Sequence, residues 1–594
     1  MVREKSGAAF YEGLRSYALA APSSPVLIFP STADTDALCA LKIATHLLAQ
    51  DSIRYSVYPV ASFNDIHSLI GTTLSTAEPF VALLINWGCS RDLRRLLKLS
   101  PVGRIFVVDS HRPIHLHNLS ARNRQVTVLY SGEDESQADI PYGFDLEALS
   151  KSCDLSSDSD RGEDLDEEEQ EEETESEYED GDVGGRKRRR TAAEGVMGAL
   201  LQSIRKNKSE YYRMGTFHGR PAGCLLYDIA HALHKNNNEL LWLACVSLTD
   251  QFVHERLSLE RYQAGVMELE QHINGSGNLE MITSVTLKDG TKVRVPDVSR
   301  ISYEDEPRLM LLREWNLYDS MICSSYVATK LKTWSDNGMK RLRLLLAKMG
   351  IALVECQQKF QYMSSDMKRR MKEEFQKLLP EYGLSDLYYR SFQRLHGYSS
   401  KVSAADVVYG VTALLESWGG SHHSDHFWNA YKALSLNNLE DLQIGMQRAI
   451  STQRATLRQG SLAITKKGYI KSARGFRWLK LEDSSDAELL AHPLSLTKLC
   501  YFLMDALKEK GARAKPLICA ARRPSTCASK MVLIVGVCSR PRLGAEHANR
   551  FGMVFRSVAQ DLGATFTHDA FESSWIELDV ASVNAFMIRI SERL

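Results

Sequence analysis

Seven residues in four stretches of this chain are types that hold cations or move protons. "STADTDAL" supplies Asp34 and Asp36, "LLINWG" supplies Asn86, "VVDSHRP" supplies Asp109, Ser110 and His111, and "SLTDQF" supplies Asp250. Hard divalent cations take carboxylate oxygens, manganese also accepts imidazole, and a bridging carboxylate keeps two ions close together. Two ions so held activate water for attack on phosphorus. The residue types therefore pose the question of a metal-dependent hydrolase.

Such a site needs elements that bring the four stretches together. Apolar runs at 26–29, 55–60, 80–86, 104–109 and 126–130 read as strands, and helical patterns such as "ALCALKIATHLLAQ" and "SRDLRRLLKLS" separate several of them. Alternating strands and helices imply right-handed βαβ units and a parallel sheet. "FVALLIN" and "RIFVVD" are continuously apolar, as expected of strands covered on both faces. In a parallel sheet the strand C-termini share one edge, and sites form there at the topological switch point. Asp34 and Asp36, Asn86, and the Asp109–His111 group all follow strands, so they are expected to converge. "LLWLACVSLTDQF" at 240–252 delivers Asp250 at its polar end.

Composition bounds the rest. With 594 residues, 44% hydrophobic and 25% charged, the chain has a soluble globular balance and exceeds a single core, so two or three domains are expected. The longest apolar stretches fall well short of the roughly 18 residues that span a bilayer, and no secretory signal is evident. Eleven cysteines without a C-x-x-C pair read as reduced thiols. The net charge of −1 conceals 16 acids and one base between Asp158 and Asp182, followed by Arg186, Lys187, Arg188, Arg189 and Arg190. Without the acidic run, 72 bases face 58 acids, a mildly basic body that permits nucleic-acid contact. The stretch 153–190 lacks the apolar surface to offset its ordering entropy and is expected to be a disordered insertion. Its basic cluster has the composition of a nuclear-import signal, implying a nuclear protein, and "SSDSDRGED" suits acidophilic kinases.

From about 257 to 460 helical periodicity dominates. In "WSDNGMKRLRLLLAKMGI", Leu342, Leu345, Leu346 and Met349 share one face, Asp336 is placed to cap the start and Gly350 to stop the helix. "EDLQIGMQRAISTQRATLRQG" carries Leu442, Met446, Ile450 and Leu457. His422, His423 and His426 in "SHHSDHFW" lack the cysteine or glutamate of a zinc motif, and no metal or other cofactor is expected. No phosphate loop is present, so ATP hydrolysis is not expected. Beyond 460 the pattern returns to α/β, with "KMVLIVGVCS" a buried strand and "SSWIELDV" an edge or final strand. Between the two, Lys466, Lys467, Lys471, Arg474 and Arg477 interleave with Tyr469, Phe476 and Trp478. Single-strand binding uses this combination, and so does a β-hairpin with an exposed basic face.

The four-stretch constellation resembles the DHH phosphoesterase superfamily, which includes the RecJ-type exonucleases. The resemblance implies six metal ligands, of which Asp34, Asp36 and Asp250 are present. Thr32 and Asn86 stand where a histidine and an aspartate are expected. Ser110 replaces the metal-binding histidine of the Asp-His-His motif, and His111 keeps the one expected near phosphate. Half the donors being gone, what remains suits either one weakly held magnesium or helix caps. Across nearly the whole chain, "DTDALCALKI", "VVDSHRPIHLHN", "GTFHGRPAGCLLYDIAHAL" and "LREWNLYDSMICSSYVATKLKTWS" resemble the cell division cycle protein 45 family. That implies a DHH-like parallel-sheet domain at 1–256, a helical interaction module at 257–460 and a smaller α/β, DHHA1-like domain at 461–594. It further implies a non-catalytic scaffold of the replicative helicase with the MCM ring and the GINS complex as partners. A replicative DNA polymerase, other replisome factors and single-stranded DNA are further partners the resemblance suggests, and a membrane is not. The competing expectation is a metal-dependent, single-strand-specific exonuclease.

Overall fold

Apolar strands of five residues, buried along their full length, organise the N-terminal half of this computed structural model. It describes residues 3–4, 6–21, 24–66, 79–97, 101–120, 123–130, 149–150, 202–203, 206–213, 215–275, 283–286, 292–295, 300–396, 400–417, 423–435, 438–524, 531–540, 549–568 and 571–593. The acidic run and the basic cluster at 186–190 lie outside these. The strands are β1 (Arg3–Glu4), β2 (Val26–Pro30), β3 (Tyr55–Val57), β4 (Val81–Ile85), β5 (Arg104–Val108) and β7 (Val126–Leu129), in the order β1-β7-β5-β4-β2-β3. Every neighbouring pair is parallel. Side chains alternate between two cores, as a pleat requires. Val81, Leu83 and Ile85 of β4 enter one core with the helices Thr35–Gln50, Ala222–Ala232 and Asn238–Val253. Ala82 and Leu84 enter the other, with Trp87 and Phe63. The connections leaving β2 and β4 run toward opposite edges of the sheet, so the residues that follow those two strands face each other at this switch point. Two short strands, β6 (His111–Arg112) and β8 (Phe217–His218), pair antiparallel beside it.

The middle of the chain is less purely helical than its periodicity suggests. A three-stranded antiparallel sheet, Ile301–Pro307, Tyr388–His396 and Ser400–Ser403, stands among the helices. Residues 309–387 build a core of their own around Leu342, Leu345, Leu346, Met349 and Phe375. Gly350, at φ +66°, ends the helix Asp336–Lys348 as expected, but Ser335 caps its start, accepting from the Gly338 amide. Ser335 precedes the first helical residue, whereas Asp336 already lies in the first turn.

The expected boundaries at 256/257 and 460/461 do not coincide with breaks in packing. The helix Ala404–Leu415 is apolar all round and belongs to the N-terminal core, together with Leu442, Met446 and Ile450. Thr412 Oγ1 lies 3.3 Å from Thr35 Oγ1, and Lys42 Nζ donates to Ser435 Oγ at 2.8 Å. The helix Leu439–Thr465 then runs through the second boundary, its far end packing into the C-terminal core with Ala463 and Ile464. One 27-residue helix thus ties both cores.

The C-terminal part holds a six-stranded sheet in the order Lys471–Ser472, Arg477–Lys480, Leu517–Arg522, Met531–Val537, Trp575–Asp579, Phe566–Thr567. Pro493–Glu509 covers one face, and Phe551–Asp561 with Val583–Arg593 the other. The strand in "SSWIELDV" is last in sequence but internal in space, because Phe566–Thr567 forms the edge beyond it. No helix among the described residues is long and apolar enough to cross a membrane. All nine described cysteines are free.

Candidate functional site

Asp34 ends the loop after β2 and caps the helix Thr35–Gln50, its Oδ1 accepting from the Ala37 amide at 2.7 Å. Asp36, in the first turn of that helix, reaches across to the start of another. Its Oδ2 accepts from the Ala222 amide and its Oδ1 from the Gly223 amide, both at 2.9 Å, where the Ala222–Ala232 dipole favours negative charge. Ser247 Oγ of the Asn238–Val253 helix also donates to Asp36 Oδ1. The approach demands glycine at 223: a Cβ there would sit 2.3 Å from Ser247 Oγ and 3.3 Å from Asp36 Oδ1.

Asn86 leaves β4 with φ +56°, a left-handed conformation that asparagine tolerates well. Its Nδ2 donates to Asp34 Oδ1 at 3.1 Å and Asp36 Oδ2 at 2.8 Å, and its Oδ1 accepts from the Ser110 amide at 3.2 Å. An aspartate here would repel both neighbours unless a cation lay between them. The amide does the opposite and bonds to both. Burial, with Asp34 adding, raises Asp36 to about 6, but its four donors favour the ionised form, so it is charged at neutral pH. Burial also raises Asp34, against the attraction of Arg256.

Asp109 follows β5. Its Oδ2 accepts from the Cys89 amide at 3.0 Å, and its Oδ1 meets both the His111 amide, at 2.9 Å, and His111 Nδ1, at 2.7 Å. Burial alone would depress the His111 pKa, but Asp109 outweighs it and lifts the imidazole to about 9. The same pairing overcomes burial at Asp109 and holds its carboxyl below the usual range.

Two functional side chains carry no spacing signal. Arg256 follows the helix Asn238–Val253 through a Schellman turn: Glu255 is left-handed at φ +58°, its amide bonds to Phe252 O at 3.1 Å, and the Arg256 amide returns to Gln251 O at 2.8 Å. This turn folds the arginine back over the helix it has just left. Arg256 Nη1 lies 3.6 Å from Asp250 Oδ2, with its side chain 10% exposed and that of Asp250 fully buried. Its charge acts on Asp34, Asp250, Glu572 and Asp36, and together they outweigh burial to raise its pKa. Burial opposes the charge on Asp250, yet His254, 3.1 Å away, and Arg256 hold its carboxyl below the usual range. Glu572 arrives from the C-terminal sheet, 3.4 Å from His218 Nε2 and 3.9 Å from His111 Nε2. Beside it Phe571 stacks on Trp87 at 5.2 Å and meets Phe63 edge-on at 5.0 Å, a C-terminal side chain buried in an N-terminal core.

The seven residues singled out from the sequence do converge, and their carboxylates differ: both Asp250 oxygens lack a hydrogen bond. Both Asp36 oxygens are taken by protein donors, and one Asp34 oxygen is taken while Oδ2 has no hydrogen bond. Arg256 supplies positive charge beside Asp34, Asp36 and Asp250.

The basic stretch at 466–480 forms the hairpin of Lys471–Ser472 and Arg477–Lys480. Lys466, Lys467, Lys471 and Arg474 are exposed and Arg477 half-buried. Its rings are engaged within the protein: Phe476 is fully buried, Lys471 lies over Trp478 at 4.4 Å, and Lys466 over Tyr469 at 5.1 Å while pairing with Glu482. The hairpin offers cations with no open stacking surface. Gly552, one of two glycines left where substrate would approach in a DHHA1-like domain, packs against Ser573, and Gly544 lies outside the described residues. His426 bonds to Ser417 Oγ at 2.7 Å, and His422 lies outside the described residues.

Residues 26–593 match the family described as CDC45. The cell division control protein 45 homolog of Schizosaccharomyces pombe is 31% identical over 609 residues, covering 94% of each chain, and that of Homo sapiens 28% identical over 95% of this chain and 96% of its own. The crystal structure of CDC45 from Entamoeba histolytica shares the fold with a TM-score of 0.69 at 20% identity, over 99% of this chain and 98% of that one. A fainter likeness, TM-score 0.39 at 12% identity over 98% of this chain and 54% of that one, is to RecJ in complex with Mn2+ from Thermus thermophilus. The chain belongs to the CDC45 family.

Proposed function

We propose that the chain is a non-catalytic scaffold subunit of the eukaryotic replicative helicase, working in the nucleus with an MCM ring and a GINS complex. Membership of the CDC45 family supports a role in DNA replication and the cell cycle. The observation that carries the non-catalytic reading is the engagement of Asp36 by four protein donors, with Arg256 supplying the local positive charge. Hydrolysis of a phosphodiester would need those oxygens free for metal, and freeing them would strip three elements of their common acceptor. An interaction role is favoured by apolar side chains left in water on the helical module: Leu344, Val354 and Tyr362 are 53, 70 and 75% exposed. Exposed apolar side chains mark protein contacts where they form one contiguous patch. The exposed cations of the 471–480 hairpin suit the backbone of single-stranded DNA, and 186–190 suits nuclear import. The test is co-purification at low salt with an MCM ring and GINS; failure to associate overturns the scaffold. Hydrolysis of single-stranded DNA by the purified chain with manganese, lost in Asp34→Ala and Asp36→Ala, would establish the exonuclease instead.

A further inference from the structure

His111, His218 and Glu572 each offer a ligand atom, and the three lie within 4.8 Å of one another. None is among the ligands that the phosphoesterase resemblance implies. His111 Nδ1 is bonded to the Asp109 carboxylate at 2.7 Å, so the ring is fixed with Nε2 directed at Glu572. A carboxylate behind a histidine in this way orients metal-binding imidazoles and makes them better donors. His218 Nε2 is buried and has no hydrogen-bond partner, although Glu572 lies 3.4 Å away. Donors around a tetrahedral zinc stand about 3.3 Å apart, given zinc–donor bonds of about 2.0–2.1 Å. The separations of Glu572 from the two rings, 3.4 and 3.9 Å, need only small rotations to reach that. The other carboxylate–histidine group, Asp228, Glu268 and His272, differs: Arg220 bonds both of its carboxylates, at 2.9 and 2.7 Å.

We propose that His111, on losing its Nε2 proton, binds one zinc-class transition ion together with His218 and Glu572, with water in the fourth position, and that the ion fastens the C-terminal sheet to the N-terminal domain. Two imidazoles with one carboxylate favour zinc over magnesium or calcium, which prefer all-oxygen sets. Glu572 and the outer Asp109 neutralise the ion, while Asp34 and Asp250 balance Arg256 on the other side. The bridge reinforces contacts already joining the two parts: Phe571 between Trp87 and Phe63, and the backbone pairing of Thr216 with Asn549 at 3.0 and 2.8 Å.

The full chain is titrated with zinc against a chromophoric chelator. One ion per chain is expected, with affinity falling at least 100-fold in His218→Ala and Glu572→Gln. No binding by the wild-type chain, or unchanged affinity in both variants, overturns the proposal. Because either variant could disturb the interface, cobalt is also added to the wild-type chain. The strong visible absorption of a four-coordinate nitrogen and oxygen site is expected, whereas a weak six-coordinate spectrum or a thiolate charge-transfer band overturns the assignment.

Discussion

Replacing Arg256 with methionine tests whether an arginine has taken over the work of cations at this centre. Methionine keeps the apolar stem of the side chain and removes the guanidinium with its charge. At 3.6 Å and an effective dielectric of about 20, the Arg256–Asp250 attraction is about 4.6 kcal/mol. Removing one partner of a buried pair strands the other, and such losses run to about 3–5 kcal/mol. In a chain too large for one cooperative transition, hydrogen exchange in the helix Asn238–Val253 is the suitable readout, since it reports local stability. Exchange there should quicken by roughly two to three and a half orders of magnitude. The double variant Arg256→Met, Asp250→Asn should recover much of the loss, because no charge is then stranded. The pH response has a definite sign. Asp250, held below its ordinary pKa, contributes stability above that value which is lost as pH falls through the lowered one. Without Arg256 less of that contribution remains at neutral pH, and the penalty should shrink as the buried acids protonate. A loss under about 1 kcal/mol, or strictly additive single variants, would refute the reasoning.

Three other perturbations probe the packing around the centre. Gly223→Ala should destabilise the Ala222–Ala232 helix by about 1–3 kcal/mol, read as faster exchange of its amides, because the new Cβ overlaps Ser247 Oγ. Phe571→Ala should cost about 3–5 kcal/mol of the contact between the two α/β parts, seen as proteolytic cleavage between them and altered Trp87 fluorescence. His492, driven to about 3 by burial with Arg523 and His426 adding, stays neutral in the fold while the unfolded chain protonates near 6.5. Stability is therefore lost as pH falls from 6.5 toward 3, by about 1.4 kcal/mol between pH 7.5 and 5.5 for this group alone. His492→Gln should flatten that part of the melting curve against pH.

What could be read in advance follows the range of the physics involved. Continuous apolar runs reveal buried parallel strands because that signal is local, and all five N-terminal strand predictions lie on observed strands. The convergence of Asp34, Asn86 and Asp109 follows from the shared edge of a parallel sheet, whereas Asp250 is brought in by the helix Asn238–Val253. Asp34 as a helix cap was legible too, from its place just before an apolar-periodic run. The partners of Asp36 were not. Ala222, Gly223 and Ser247 lie 186 to 211 residues away and look like any other helix start and helix face. Arg256 depends on a left-handed glutamate, and Glu572 has no motif at all. The packing across 256/257 and 460/461 was not legible for a related reason: periodicity shows that a helix has an apolar face but not which core receives it. "AADVVYGVTALL" held the one available hint, since a helix apolar all round must lie inside something.

The two readings of Asp36 make opposite predictions for Asp36→Asn. Metal-binding carboxylates left without their ion repel one another, so neutralising one in an enzyme tends to leave the fold unharmed or firmer while activity is lost. Here both oxygens accept: Oδ1 from the Gly223 amide and Ser247, Oδ2 from the Ala222 amide and Asn86. An asparagine amide group can replace only one of the two oxygens, so it must point N–H at N–H or at a hydroxyl on one side. Each buried donor left unmatched costs about 1–3 kcal/mol, and even with the Ser247 hydroxyl turned to accept, the Gly223 amide is left so. Measured at pH 7.5, where Asp36 with a pKa of about 6 is ionised, Asp36→Asn should therefore destabilise the junction of the three elements. A variant as stable as the wild type would mean that this carboxylate still belongs to a metal and not to the fold.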